Sequence, residues 1–305
     1  MTFTGVPQAL YGRAYALTLG PEHGGDGFRF GNLQGNQSAL RIGFEVDKIA
    51  QGAANKGTVT LYNVNQAART ALVRGFRVVL EAGYLGLTER LLYGTVLKAT
   101  SKREGPNIVT TLDVIDGLRA IMFAKLDKVW PPGTPLSQIL QDIAEAMDVA
   151  PGVAVGIPNK VFARGHTCWG LCSEELTNLL EPYSIEWSVQ NGKLNILPKG
   201  TDLGTAAIVI NAQTGLLGIP SKNHMTTDFE ALLNPKLVPG QLVQLQTKNV
   251  NTSGIFKIRS CKMIGDTHDQ KWSVACQAVK IPQRAQVLSA AQGFQYGQAV
   301  VPGLL

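Results

Sequence analysis

The sequence predicts a β-rich α+β chain in which two strand-rich outer thirds flank a small α+β unit. Three observations carry this reading. Apolar residues alternate with period two through the first and last thirds. The period switches to that of a helix after Pro131. The order of strands and turns in the first third recurs in the last. At 305 residues the chain is long enough for two or three ordinary domains, with a core that needs neither disulfides nor metals.

Ala39-Leu40-Arg41-Ile42-Gly43-Phe44-Glu45-Val46-Asp47 alternates apolar with polar, the mark of a half-buried strand. Gly57 opens a second strand, Thr58 to Tyr62. A short helix is expected from Gln66 to about Arg74, with Asn65 as N-cap and Gly75 as its stop. Phe76–Ala82, Leu91–Thr100 and Ile108–Val114 follow as strands between Gly and Pro turns. Short strands with one helix fit a barrel or a sandwich.

The middle segment opens with the breaker Pro131-Pro132-Gly133. Thr134 is expected to cap a helix with Pro135 at its first position. Leu136, Ile139, Leu140, Ile143 and Met147 then fall on one helical face. A second helix is expected from about Ser173 to Glu181, with Leu176, Leu179 and Leu180 on one face and Pro182 as its stop. Ile185, Trp187 and Val189 alternate, Asn191-Gly192 turns, and Leu194 and Ile196 alternate back, which predicts a hairpin. The last third returns to strands at Ala206–Ile210, Phe229–Leu233, Leu242–Thr247, Phe256–Met263 and Trp272–Val279.

The outer thirds match in order. Tyr62-Asn63 and Leu233-Asn234 each end a strand, and Gly75-Phe76 and Gly240-Gln241 each begin the next. The first copy carries a helix between these points, while the second has only Pro235–Pro239. Two long strands follow in both. A chain with two similar barrels that trimerises would present six barrel units in a ring. The expected domains are 1–118 and 201–282 as the related barrels, 119–200 as the α+β insertion, and 283–305 as a C-terminal docking arm. That arm holds one charge, Arg284, among many Gln, Gly and Ala residues.

Charged residues make up 16% of the chain, against about 25% for an ordinary soluble protein. Charge depletion is what surfaces buried between subunits show. The net charge of +6 divides as +3, −1 and +4 over residues 1–118, 119–200 and 201–305, counted from the same sequence. No concentrated basic stripe exists, so sequence-specific nucleic-acid binding is not expected. No apolar run is long enough to span a membrane, so no membrane insertion is expected. Met1-Thr2-Phe3-Thr4-Gly5 lacks the basic start of a secretory signal, which implies synthesis in a cytoplasm with reduced cysteines.

Several strand-and-turn patterns resemble the baseplate hub proteins of contractile phage tails, the late control protein D-like family. They are Ile42-x-Phe44-x-Val46, Thr58–Asn63, Gly75-x-x-Val78-x-Leu80-x-Ala82-Gly83-Tyr84 and Leu92-x-Gly94-x-Val96. Trp130–Thr134, Leu232–Pro235 with Pro239-Gly240, and Phe256–Arg259 through Asp266 to Trp272 continue the likeness over most of residues 35–281. The resemblance implies two tube-type β-barrel domains and a homotrimer with approximate sixfold symmetry. It implies a tail tube or tube-initiator protein above, a central spike below and wedge proteins alongside, in a virion assembled in the host cytoplasm. It implies no catalytic residue, metal or cofactor. Spike proteins of secretion systems share such barrels, usually continuing into a long β-helix.

Residues that could carry chemistry are few. His166-x-Cys168-x-x-x-Cys172 offers three metal ligands where structural zinc uses four. Cys261 and Cys276 lie on separate strands, and His224 or His268 would be the available bases for a Cys nucleophile. Buried, inert thiols are the expectation. Glu174, Glu175, Glu181 and Glu186 raise the alternative of a tail-associated cell-wall hydrolase, which needs two carboxylates at a set separation. Glu174 and Glu175 instead suit a helix start. Gly24-Gly25-Asp26-Gly27 reads as a loop, since no helix pattern follows it.

Overall fold

A computed structural model describes residues 12–21, 27–32, 40–50, 54–72, 75–199, 201–204, 206–248 and 252–281. The first segment supplies β1 (Arg13–Gly20), β2 (Phe28–Gly31), β3 (Ile42–Ile49) and β4 (Asn55–Tyr62). Helix α1 (Gln66–Ala71) leads to β5 (Arg77–Tyr84), β6 (Leu87–Glu104) and β7 (Asn107–Asp116). The middle segment runs α2 (Leu118–Met122), β8 (Lys125–Trp130), β9 (Thr134–Pro135), α3 (Leu136–Ala146), β10 (Ala150–Ala154) and β11 (Val161–Phe162). It continues with β12 (His166–Leu171), α4 (Cys172–Leu180), a 3₁₀ turn (Glu181–Tyr183), β13 (Ile185–Gln190) and β14 (Lys193–Pro198). The last segment supplies β15 (Ile208–Ile210), β16 (Leu216–Lys222), β17 (Thr227–Leu232), β18 (Leu242–Leu245), β19 (Gly254–Asp266) and β20 (Trp272–Lys280). The class is β-rich α+β. The docking arm at 283–305 and Gly24–Asp26 lie outside the described residues.

Strands of both outer segments form one continuous sheet, in the order β16-β17-β20-β19-β3-β4-β7-β6-β5-β1-β2, with β18 on β19 and β15 on β18. Two halves of this sheet share one strand order. The first reads β3-β4-β7-β6-β5-β1 and the second β16-β17-β20-β19-β18-β15. The last strand differs in direction: β1 runs antiparallel to β5, while β15 runs parallel to β18.

The match extends to single residues. The β6–β7 ladder skips Leu97, between Val96 and Lys98, and the β19–β20 ladder skips Arg259, between Ile258 and Ser260. Just before each bulge the same backbone exchange occurs. Gly75 N–H donates to Val96 O (2.9 Å) and Val96 N–H to Phe76 O (2.8 Å). Gly240 N–H donates to Ile258 O (2.8 Å) and Ile258 N–H to Gln241 O (2.9 Å). Gly75 and Gly240 hold φ of 95° and 90°, a region that favours glycine. The ladders also correct the sequence matching by one residue. Asn63 N–H donates to Ile108 O and Leu233 N–H to Trp272 O, so Asn63 corresponds to Leu233 and not to Asn234.

The two halves meet where β3 pairs antiparallel with β19, from Gly43 opposite Asp266 to Ile49 opposite Ser260. Gly265 faces Phe44 on one side and Trp272 on the other. A Cβ there would lie 2.3 Å from Phe44 Cζ and 2.8 Å from Trp272 Cε3. The bare glycine therefore lets the two rings meet edge to face over it, with centroids 5.3 Å apart. Arg41 closes the end of the seam with a bidentate pair to Asp266 (2.8–3.1 Å). Arg13 on β1 donates to Asp266 O at 3.0 Å and lies over the Trp272 ring. One hydrophobic cluster spans both halves, from Tyr15 and Leu17 through Val46, Leu61 and Leu112 to Phe256, Met263 and Val274.

Local chemistry explains most of the elements. Asn65 Oδ1 accepts from Ala68 N–H at 2.7 Å and caps α1, which ends at Ala71 rather than near Arg74. The expected Thr134 cap is absent: Thr134 Oγ1 donates to Pro131 O, and Pro135 is the N-cap of α3 without a side-chain bond. Leu136, Ile139, Leu140 and Ile143 of α3 pack with Leu176 and Leu180 of α4, Trp187 and Ile196 in a second cluster confined to the middle segment. The Asn191-Gly192 turn joins β13 to β14 with φ of 53° and 77°. Strand β1 escaped the sequence pattern because Ala14 to Leu17 are all buried, so no period two appears.

Removing the Phe44 ring should leave a cavity under Trp272. Phe44→Ala is expected to destabilise the protein by about 3–5 kcal/mol in urea unfolding. A loss below ~1 kcal/mol would show that the seam carries little of the packing.

Candidate assembly interface

The residues with chemical potential are placed first. His166 and Cys168 lie on β12, and Cys172 and Glu175 on α4. His166 Nε2 and Glu175 Oε1 are 2.6 Å apart, and the imidazole packs against Trp130 and Phe162. Cys168 and Cys172 are buried. Burial, then the Glu175 charge, pushes the Cys168 thiol up to about 11. Cys261 and Cys276 are cross-strand partners on β19 and β20. Burial raises Cys261 to about 12 and Cys276 well above the ordinary thiol value. Such thiols stay protonated near neutral pH and are poor nucleophiles. No His, Cys, Asp and Glu group among the described residues has metal-binding geometry.

The four carboxylates are dispersed. Glu174 and Glu175 occupy the first turn of α4, Glu181 starts the 3₁₀ turn, and Glu186 sits on β13. A groove of about 850 Å³ opens between β16 and the sheet, and none of these four residues lines it. His224 and His268 are exposed. His268 Nδ1 instead bonds Thr267 Oγ1 at 2.8 Å.

The sheet itself is the more informative surface. One face is the core. The other carries Thr58 and Thr60 on β4, Thr100 on β6, Thr111 on β7 and Ser273 on β20, all half-buried. Charges on this face are matched across the ladders: Asp47 lies opposite Lys56 and Lys262, and Lys98 opposite Asp113. Glu45 pairs with Lys262 across the seam. A hydroxyl-rich, charge-balanced face of this kind does not resemble a basic nucleic-acid footprint.

Several strand edges are open among the described residues, those of β2, β15, β16 and part of β6 among them. Strand β16 ends the sheet beyond β17. Residues 98–104 of β6 pair with β7 on one edge and with no strand on the other. Leu217, Ile219 and Met225 at the β16 edge and Leu97 on β6 are exposed, Ile219 by 88%. Open edges with exposed apolar side chains are templates for pairing with another chain.

The middle segment docks on the sheet through a buried polar cluster at the Asn191-Gly192 turn. Asn191 N–H donates to Asp116 Oδ2 at 2.7 Å, and Asn55 Nδ2 donates to the same oxygen at 3.1 Å and to Val189 O at 3.0 Å. Lys48 Nζ donates to Asn191 Oδ1 at 3.1 Å, and Gln190 Nε2 to Ile49 O at 2.8 Å. Lys48 is 1% exposed and Asp116 is fully buried. Burial lowers the Lys48 ammonium against the pull of Cys261, Asp116 and Glu89. Burial raises the Asp116 carboxyl against the hydrogen bonds from Asn55 and Asn191. Sequence reading identified the turn but not the cluster, since Asp116 and Asn191 lie far along the chain from Lys48 and Asn55.

Comparison with known proteins bears on these edges. A family model described as baseplate hub gp41 matches residues 28–275. A tail protein from Neisseria meningitidis superposes with a TM-score of 0.62 at 9% identity, covering 92% of this chain and 99% of that one. The 43 kDa tail protein of a Shewanella oneidensis prophage gives 0.61 at 10% identity, covering 88% and 98%. An E. coli type VI secretion component, described as similar to phage T4 tail proteins, gives 0.56 at 10% identity, covering 88% and 79%. No curated protein sequence matches the chain. At these identities the structural likenesses show the fold.

The Asp116 carboxyl yields a pH test. Its folded value lies above the ordinary 3.8, so the folded state takes up this proton more readily than the unfolded one. The stabilisation is full below about 3.8 and is lost as pH rises through the folded value. Asp116→Asn removes the titration. In urea unfolding, the stability of wild type relative to Asp116→Asn is expected to be greatest at the acid end of that window and to decline as pH rises. A difference independent of pH would contradict the buried-carboxyl assignment.

Proposed function

Because the chain belongs to the baseplate hub gp41 family, a family of phage-tail structural proteins, we propose that it is the hub of a tail baseplate. Three copies form a ring that joins the hexameric tail tube to the trimeric central spike. The observation that carries this reading is the strand order repeated within one continuous sheet. Two equivalent halves per chain give six equivalent units in a trimer, so the ring matches a sixfold partner on one side and a threefold partner on the other. In this reading residues 1–118 and 201–282 are two related tube-type barrel units that become closed only in the ring. Residues 119–200 form a peripheral unit with its own core, and the hydroxyl-rich face lines the channel. The type VI secretion relative supports the same placement, since it is described as similar to tail proteins.

Residues 283–305 are a docking arm for a neighbouring subunit or the spike. Ordering such a segment costs about 1–2 kcal/mol per residue, so contact along much of its length is required to hold it. Light scattering on the purified chain should give three times the 32.7 kDa protomer mass. A monomer at micromolar concentration would contradict the ring. In the same measurement, a chain truncated after Pro282 should lose trimer or spike binding, and unchanged assembly and binding would remove the arm from the account.

A further inference from the structure

We propose that Cys261 and Cys276 are a modification site: they close into a cross-strand disulfide under a peroxide oxidant and reopen under a thiol reductant. The site is independent of the ring reading.

The two residues lie directly opposite each other on β19 and β20. Their backbone setting follows from the end of the same hairpin. Asp266 N–H donates to Lys271 O at 2.9 Å, which makes Asp266 and Lys271 a hydrogen-bonded pair. The ladder runs from there to Cys261 and Cys276, five steps on, without a register shift. Pairs alternate along an antiparallel ladder, so the cysteines form a non-hydrogen-bonded pair. The other edge of β19 agrees. Arg259 O accepts from Ala50 N–H and Thr267 N–H donates to Ile42 O, both at 3.0 Å, which turns the backbone polar groups of Cys261 toward β3. In a non-hydrogen-bonded pair the Cα atoms are about 4.5 Å apart and the side chains are closest. That separation falls at the short end of the disulfide range, about 4.4–6.8 Å. The bond is therefore within reach of both strands as they stand, and a compressed bond is readily reduced.

The surroundings supply access and an order of reaction. Lys48, Cys261, Cys276 and Phe229 stand in one row across β3, β19, β20 and β17. The thiols are only 4% and 3% exposed, yet all four residues line the groove of about 850 Å³ beside β16. This groove gives a small oxidant such as hydrogen peroxide a path to the pair. Burial raises the Cys261 thiol and the Lys48 ammonium lowers it, whereas burial and then Cys261 both raise Cys276. Cys261 therefore reacts first. Its thiol loses a proton, and the sulfur attacks one peroxide oxygen. The O–O bond breaks and hydroxide leaves to become water, so Cys261 is now a sulfenic acid. The Cys276 sulfur, losing its own proton, attacks the Cys261 sulfur, the S–O bond breaks and a second water forms. Two thiols have given two electrons to one peroxide. The high thiol values make the reaction slow but do not forbid it, because the thiolate fraction sets the rate and the geometry sets the end point. A tail component made in a reducing cytoplasm and released into an oxidising medium passes from the open state to the closed one. The closed bond ties β20, and β17 behind it, to the strand that makes the seam.

The test uses the full chain, purified in reductant and then treated with hydrogen peroxide over hours. Denatured without reductant, the treated chain should take up two alkyl groups from iodoacetamide where the reduced chain takes up four. Its mass before alkylation should be lower by two hydrogens. Peptide mapping should join the segment holding Cys261 to the one holding Cys276, and dithiothreitol should restore the count of four. The urea midpoint of the treated chain should lie above that of the reduced chain, because the bond constrains the unfolded state. In Cys276→Ala the same treatment should produce neither link nor midpoint shift. Four alkyl groups after treatment, oxygen added at Cys261 without a link, or a link between Cys168 and Cys172 in its place would overturn the site.

Discussion

The antiparallel seam between β3 and β19 is the contact on which the rest of this structure depends. It joins strands more than two hundred residues apart into one sheet and lets two halves share a single hydrophobic cluster. Gly265 makes the seam possible by leaving room for Phe44 from one half to meet Trp272 from the other. Arg41 and Arg13 then fasten the loop after Asp266, so the seam ends in charge-assisted bonds rather than a frayed strand. Burial works against the Asp266 carboxylate, yet the Arg41 and backbone hydrogen bonds hold it below the usual carboxylate range.

The middle segment is a separate problem with a different physical solution. Its helices and hairpin bury one another in a cluster of their own. A buried polar cluster fastens it to the sheet, with Asp116 receiving bonds from Asn191 and Asn55, and Lys48 reaching the Asn191 side chain. Buried charges of this kind are a weak source of stability because desolvation offsets much of the attraction. Their value is directional: a hydrogen bond needs its donor and acceptor aligned, so the cluster orients the hairpin turn on the sheet. The insertion sits between the two halves in sequence and is fastened beside the seam that joins them in space.

Much of this architecture was legible in the sequence, and the failures have physical causes. Period-two alternation located β3, β4 and β20 because each has one face in the core and one polar face. Helix α3 was legible from Leu136, Ile139, Leu140 and Ile143, although its cap was not, since Thr134 bonds back to Pro131. Strand β1 is covered on both faces and shows no alternation. Strand β16 contains Gly218 and Pro220 around an irregular ladder and shows no clean alternation. The duplication was visible as an order of turns, while its register needed the paired bulges at Leu97 and Arg259.

A reconstruction of the purified assembly by electron cryomicroscopy, at a resolution that separates strands, tests the central claim most directly. The account predicts a closed ring of three chains in which the two repeated halves of each chain stand as six equivalent units around one channel. A monomer, or an assembly in which the two halves of a chain lie at unequal distances from the axis, would contradict it.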